Sequence, residues 1–287
     1  MTSWLLGLSL WLIMPWMGLN GYTSRYVATD GGRLHYFTAP GEGRLPPVLL
    51  LHGIGSQASD LYPVMQRLRP YVRKVIAVDM PGHGISEVAV EKLPLPLTEA
   101  SFYQGLDRIL AKEEPVLLFG NSFGGWQALR YALCQPQELA GLVLVSPAGA
   151  PLDPPEYHRL QQIFAEDSTR HPEALIPLLF NQPPPWQGIA ATFIQARFSA
   201  PGVQALIARF TPAAHLDADP LRGLTVPALL IWGRQDRIFP VELPFFKQNL
   251  PVQTKVIEPP DFTHSPYIEA GMEKELAEMM LAWVRGR

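Results

Sequence analysis

Short, continuous apolar runs recur along the chain, separated by longer stretches whose apolar residues fall at helical spacing. Pro47–Leu51 (PVLLL), Val75–Val78, Val116–Phe119, Leu142–Val145 and Val226–Trp232 each read as a strand buried on both faces, as in a parallel sheet covered by helices. Asp60–Leu68, Ser101–Ala111, Phe123–Cys134 and Val241–Asn249 read as amphipathic helices between or after them. A strand over Lys255–Ile257 and a helix over Met272–Arg285 complete the series. Ahead of it, Ser24–Pro40 alternates apolar and polar positions on either side of Asp30-Gly31-Gly32, the signal of a β-hairpin. Strands alternating with helices imply an open, mostly parallel α/β sheet with right-handed crossovers.

Two stretches depart from the alternation. From about residue 147 to 221 the pattern is helical but broken by prolines, among them Pro151, Pro154, Pro155 and the run Pro183-Pro184-Pro185. This stretch reads as a helical insertion over the carboxyl edge of the sheet. Its apolar residues Leu175, Leu178, Leu179, Phe180, Trp186, Phe193 and Phe198 are candidates for lining a pocket, or for packing the insertion onto the core. The other departure is at the start, where Trp4–Leu19 carries no charge and the first charged side chain is Arg25. A division follows into a hydrophobic N-terminal segment, residues 1–21, and one catalytic domain, residues 22–287. The uncharged run is at the short end of the ~17–25 residues that span a bilayer, and Trp4, Trp11 and Trp16 suit a membrane interface. Three readings stay open: a membrane anchor or interfacial helix over residues 4–19, a signal for export, and a helix packed on the protein's own surface. The first two make a cytoplasmic location the weaker expectation.

Composition narrows the function. Hydrophobic residues make up 47% of the 287-residue chain and charged residues 17%, which suits a filled core. A net charge of -3 without a Lys/Arg cluster argues against nucleic acid as a partner. Cys134 is the single cysteine, so no disulfide staples the chain. Zinc-ligand spacing and a dinucleotide-binding glycine fingerprint are both missing from the sequence, so neither metal nor cofactor is implied.

The residues that carry chemistry lie at strand ends. Gly120-Asn121-Ser122-Phe123-Gly124-Gly125 follows an apolar strand and opens a helix, the context in which G-x-S-x-G projects a serine on a tight turn with positive φ. Ser122 is the candidate nucleophile. The Phe123 N–H, first in its helix, is a candidate oxyanion donor, and the Ile54 N–H in His52-Gly53-Ile54-Gly55 is the second. His52 reads as structural and His83, in PGHG, as a loop residue. A serine hydroxyl needs a base, and His264, on the loop between the last strand and the last helix, has the right context. Asp236, after the Val226–Trp232 strand, gives the order Ser, Asp, His; Asp261 and Asp153 are its competitors.

Taken together, VLLLHGIG, DMPGHGIS, GNSFGG, WGRQD and THSP resemble the α/β-hydrolase superfamily of esterases and lipases. The resemblance covers about residues 25–285 apart from the insertion. It implies the α/β-hydrolase fold, a helical cap over residues 147–221, no cofactor, and an acyl-enzyme on Ser122. The arrangement of an uncharged segment before such a domain is similar to membrane-anchored monoacylglycerol lipases and some bacterial esterases. An apolar ester or monoacylglycerol is the expected substrate. Asn121 before the serine also resembles carbon–carbon bond hydrolases of the meta-cleavage type, although HGIGSQ departs from their usual glycine-rich stretch. A serine at the nucleophile position speaks against haloalkane dehalogenases and epoxide hydrolases.

Overall fold

Continuity or alternation of apolar residues decides how each strand is covered. The computed structural model describes residues 13–164, 172–211 and 214–287. Its strands are β1 (Thr23–Thr29), β2 (Gly32–Pro40), β3 (Val48–Leu51), β4 (Lys74–Val78), β5 (Val116–Asn121), β6 (Leu139–Val145), β7 (Ala228–Ile231) and β8 (Lys255–Ile257). Every residue of β3, β5 and β7 is buried, whereas β1, at the sheet edge, has no buried position. The helices are residues 13–19 (α1), Tyr62–Leu68 (α2), Leu95–Leu110 (α3), Phe123–Cys134 (α4), Pro154–Phe164 (α5), Ile176–Leu179 (α6), Gln187–Phe198 (α7), Pro201–Ile207 (α8), Ala218–Arg222 (α9), Leu243–Asn249 (α10) and Met272–Arg285 (α11).

The strands form one sheet in the order β1-β2-β4-β3-β5-β6-β7-β8. The β1–β2 and β2–β4 pairs are antiparallel and the rest are parallel. Successive side chains of a strand point to opposite faces, so Leu49 and Leu51 join the core built with α3 and α4, while Val48 and Leu50 join the one built with α2 and α11. The chain leaves β3 toward α2 on one face and leaves β5 into α4 on the other. A crevice therefore opens between the carboxyl ends of these neighbouring strands, the place where open α/β sheets bind ligands.

Local departures from the expected elements have local causes. Helix α3 starts at Leu95 rather than Ser101, because Pro96 sits in its first turn, where a missing N–H costs no hydrogen bond. Helix α2 starts at Tyr62 because Ala58–Leu61 is wound as a 3₁₀ turn. Between β6 and β7 the described residues are helical, α5 to α9, with no strand among them.

Residues 13–20 pack against the domain. Met17 is 0% exposed and lies with Tyr22 in the core on the α2 and α11 face. The Trp16 ring sits 4.2 Å from that of Tyr62, whose hydroxyl donates to Asn20 Oδ1 at 3.1 Å. Core packing thus begins ahead of the hairpin, earlier than residue 22, where the sequence divides the chain. Residues 4–12 of the uncharged run lie outside the described residues, and no helix among the described residues is long and apolar enough to cross a membrane. Met17→Ala should lower stability by about 2–5 kcal/mol, as loss of a buried methionine does. Leu19→Ala, at an 88% exposed position, should change it by less than ~0.5 kcal/mol, both read from denaturant unfolding.

Candidate active site

Close approach of strand β5 to helix α4 shapes the turn that carries Ser122. A Cβ on Gly120 would lie 2.4 Å from the Gly124 carbonyl oxygen, and one on Gly124 would lie 2.5 Å from that of His52. Only glycine fits at either place, which explains their spacing about the serine. Ser122 adopts φ 54 and ψ -120, a region that side chains with a Cβ rarely occupy. Its own backbone holds the turn: the N–H donates to Val145 O at 3.1 Å, and the carbonyl accepts from Trp126 N at 3.0 Å and Ala148 N at 2.9 Å. Phe123 begins α4, so its N–H has no acceptor within the helix.

The structure pairs the expected acid and base. His264 Nδ1 lies 2.9 Å from Asp236 Oδ2, and both residues are buried. Asp236 Oδ1 accepts the N–H groups of Ile238 and Phe239, each at 2.9 Å, while the Phe239 ring stands edge-on to the imidazole at 4.9 Å. Burial alone pushes the Asp236 carboxyl up, but the His264 charge and hydrogen bond and the Phe239 N–H outweigh it and hold the group below its ordinary value. A carboxylate at Nδ1 keeps the proton on that nitrogen and leaves Nε2 as an acceptor. Ser122 and His264 line the same cavity. The competing carboxylates are exposed: Asp153 caps α5 by accepting from Glu156 N at 2.8 Å, and Asp261 offers its backbone carbonyl to Asn181 Nδ2.

Two buried histidines shape the loop that carries Ile54. His83 Nε2 accepts the Gly55 N–H at 3.0 Å and its Nδ1 donates to Pro81 O at 3.0 Å; His52 Nε2 accepts the Met80 N–H at 3.1 Å and its Nδ1 donates to Gly53 O at 2.7 Å. Each ring needs one lone pair free, so both are neutral. Burial pushes both pKa values down, that of His83 to about 3. The sequence reading of His83 as a plain loop residue misses this clamp, because its partner, Gly55, is remote in sequence.

Asn121 is the other residue whose role emerges only in three dimensions. Its Nδ2 donates to Val145 O at 3.0 Å and His264 O at 2.8 Å, and its Oδ1 accepts from Ser265 Oγ at 2.8 Å and Tyr267 Oη at 3.2 Å. All four positions of the amide are used, and the loop bearing His264 is thereby tied to the end of β5. A fully buried polar residue inside an apolar strand is the signal that marks it.

Ser122 stands where two cavities meet. One of about 590 Å³ is bounded by Phe123, Trp126, Leu160 and Phe239; the other, about 500 Å³, by His264, Phe180, Trp186, Phe193 and Phe198. Ile54 and Phe164 line both. Of the insertion residues named from sequence, Leu175, Leu179, Phe180, Trp186, Phe193 and Phe198 face the smaller cavity, whereas Leu178 packs into the core.

A family model described as the alpha/beta hydrolase family matches residues 48–278, and the chain belongs to that family of hydrolases. It is similar to the monoacylglycerol lipase ABHD6 of Mus musculus, 26% identical over 250 residues that span 79% of this chain and 72% of that protein. It is also similar to the 2-hydroxy-6-oxo-6-phenylhexa-2,4-dienoate hydrolase of Comamonas testosteroni, 30% identical over 229 residues, 73% of this chain and 77% of that protein. The crystal structure of a membrane phospholipase A, a bacterial virulence factor, shares the fold with TM-score 0.74 at 23% identity, covering 99% of this chain and 92% of that one. So does a serine hydrolase from Cycloclasticus zankles, with TM-score 0.78 at 20% identity, covering 93% and 99%.

Asn121→Ala should strand the His264 carbonyl and the Ser265 hydroxyl, lowering stability by about 1–3 kcal/mol. Turnover should fall more than substrate affinity, since the base is displaced while the cavities persist. Denaturant unfolding and steady-state kinetics on one ester check both.

Proposed function

We propose that the protein is a serine hydrolase of apolar carboxylic esters, monoacylglycerols among them. The observation that carries this reading is Ser122, strained on its turn at the junction of two apolar cavities and facing the one that His264 lines. His264 Nε2 takes the Ser122 proton as Oγ attacks the ester carbonyl carbon, and the carbonyl electron pair moves onto oxygen. The N–H groups of Ile54 and Phe123 stabilise that oxyanion. As the pair returns, the C–O bond to the alcohol breaks, and His264 passes its proton to the leaving oxygen. Water, deprotonated by His264, then attacks the acyl-enzyme, and the acid leaves as Ser122 recovers its proton. Asp236 keeps the imidazole in the required tautomer throughout.

Because His264 must reach the leaving oxygen, the smaller cavity, which it lines, suits the alcohol, and the larger one the acyl chain. Each buried methylene contributes roughly 0.8 kcal/mol, so a medium-length chain fits this mainly apolar lining better than a short one. Residues 22–287 form the hydrolase domain in this reading, and the helices of residues 147–221 form its cap. Trp16 and Trp186, 45% and 56% exposed, both border the smaller cavity. Indole rings at its edge support association with a lipid surface. Flotation with phosphatidylcholine vesicles should be lost in a Trp16→Ala, Trp186→Ala double variant, and equal flotation of both proteins would sink the idea.

The carbon–carbon hydrolase reading is favoured by Asn121 and by the Comamonas relative. Against it, a dienoate substrate brings a carboxylate, and Arg197, the guanidinium bordering the smaller cavity, is already held by Asp60 at 2.7 and 3.0 Å. Ser122→Ala, His264→Ala and Asp236→Asn should each reduce ester turnover on the order of 10⁴-fold, without adding when combined, because they act as one unit. The folded structure should persist by circular dichroism. Cleavage of a vinylogous diketone exceeding that of any ester by orders of magnitude in kcat/KM would replace the ester reading and leave the triad standing.

A further inference from the structure

We propose that Trp16 is a specificity-determining residue for the alcohol half of the ester, because helix α1 supplies the outer wall of the cavity that holds that half. This rests on the ester reading above, with the smaller cavity as the alcohol site. Ser122 and His264, 6% and 4% exposed, form the inner end of that cavity, and Ile13, Trp16, Tyr62 and Pro63 line it as well. Trp16 is 45% exposed and so stands at the mouth. The helix that packs its Met17 into the core is therefore also part of the reaction cavity.

Local sequence fixes where α1 ends and which way it faces. Gly21 takes φ 82, the Tyr22 N–H donates to Met17 O at 3.0 Å and the Gly21 N–H to Gly18 O at 3.0 Å, the pair of bonds that closes a helix at a glycine. Met17 and Tyr22, brought together by that turn, are both buried in the core on the α2 and α11 face. Asn20 adds three bonds: its Nδ2 donates to Trp16 O at 2.8 Å, its Oδ1 accepts the Tyr62 hydroxyl at 3.1 Å, and its carbonyl accepts Arg69 Nη1 at 3.0 Å. With Met17 turned inward, Trp16 points about 100° away around the helix, and its ring rests 4.2 Å from that of Tyr62. The indole is thus in place before an ester arrives, so contact with it costs little ordering. Ile13, Pro63 and the two rings offer apolar surface there, while Asp60, in the same cavity, is engaged by Ser56 and Arg197. An alkyl or aryl alcohol suits that surface, and each methylene fully buried against it is worth roughly fourfold in kcat/KM.

The test varies one half of the ester at a time, with monomeric esters below their solubility limit and no vesicles, so that lipid contact does not enter. Methyl, butyl and hexyl butanoates form the alcohol series; methyl butanoate, hexanoate and octanoate form the acyl series. Ratios of kcat/KM within one protein are the readout, because the fraction of active enzyme cancels in them. The parent should prefer hexyl over methyl butanoate by about tenfold or more. Trp16→Ala should cut that preference by about three- to tenfold and leave the acyl ratios unchanged, while Trp16→Phe, which keeps an apolar ring, should retain most of it. Phe210→Ala, in the larger cavity, should do the reverse. Leu19→Ala, on the same helix but 88% exposed and outside the lining, should change neither.

Equal kcat/KM along the alcohol series in the parent, an alcohol preference unchanged in Trp16→Ala, or an equal loss in Leu19→Ala would each overturn the proposal. So would a Trp16→Ala effect confined to the acyl series, which would exchange the two cavities. Trp16→Gln, which keeps bulk against Tyr62 while making the mouth polar, gives the same comparison if the alanine variant does not fold. Fluorophosphonate labelling of Ser122 separates this role from the reading it rests on. A parent that labels and hydrolyses esters with a flat alcohol series sinks the Trp16 role alone, and one that neither labels nor hydrolyses any ester sinks both.

Discussion

A tight backbone crossing governs this molecule: β5 and α4 approach so closely at Gly120 and Gly124 that the residue between them must turn through positive φ. Such a conformation costs a side chain of this kind roughly 1–3 kcal/mol. It persists because both elements it joins are buried almost throughout and because Val145, Trp126 and Ala148 bond the turn from three directions. The strain is local and the burial that opposes it is spread over the sheet. The same crossing leaves the Phe123 N–H without an intrahelical acceptor beside the serine hydroxyl, so the candidate nucleophile and one candidate oxyanion donor come from a single geometric requirement.

Around that turn the sheet's carboxyl edge is organised by polar groups whose partners are nearly complete. Asn121 spends both donors and both acceptors on β6 and the His264 loop, and the His52 and His83 rings spend theirs on the loop of Ile54. Buried networks of this kind are rigid because any displacement strands a polar atom away from water. Three loops leaving three different strands are thereby held in fixed relation, as the proposed catalytic roles of Ser122 and His264 require. Trp126, Ser146, Glu242 and Thr263 are exceptions, each with one buried side-chain polar atom unmatched.

The N-terminal stretch shows why an uncharged run is ambiguous. Burial in a core and burial in a lipid both select against charge, and only contacts tell them apart. Met17 goes into the protein's own core, while Trp16 and Leu19 on the same helix keep solvent exposure. Packing on the domain and facing a lipid surface are compatible for a helix of this kind, since each uses a different side.

The amino-acid sequence by itself determined the order of strands and helices, the elbow around Ser122, and the sequence positions of His264 and Asp236. Each of those is signalled locally: an apolar run of strand length, glycines two residues either side of a serine, a histidine on the loop before the last helix. Tertiary structure alone decided the rest. That Asp236, and neither Asp261 nor Asp153, meets His264 depends on β7 lying between β6 and β8, which brings the end of β7 beside the last loop. That Asn121 and His83 support the site, and that six insertion residues face one cavity while Leu178 turns into the core, depend on contacts between residues far apart in the chain. Periodicity reports which side of an element is apolar; what that side meets is set by how the elements pack, and no local pattern carries it.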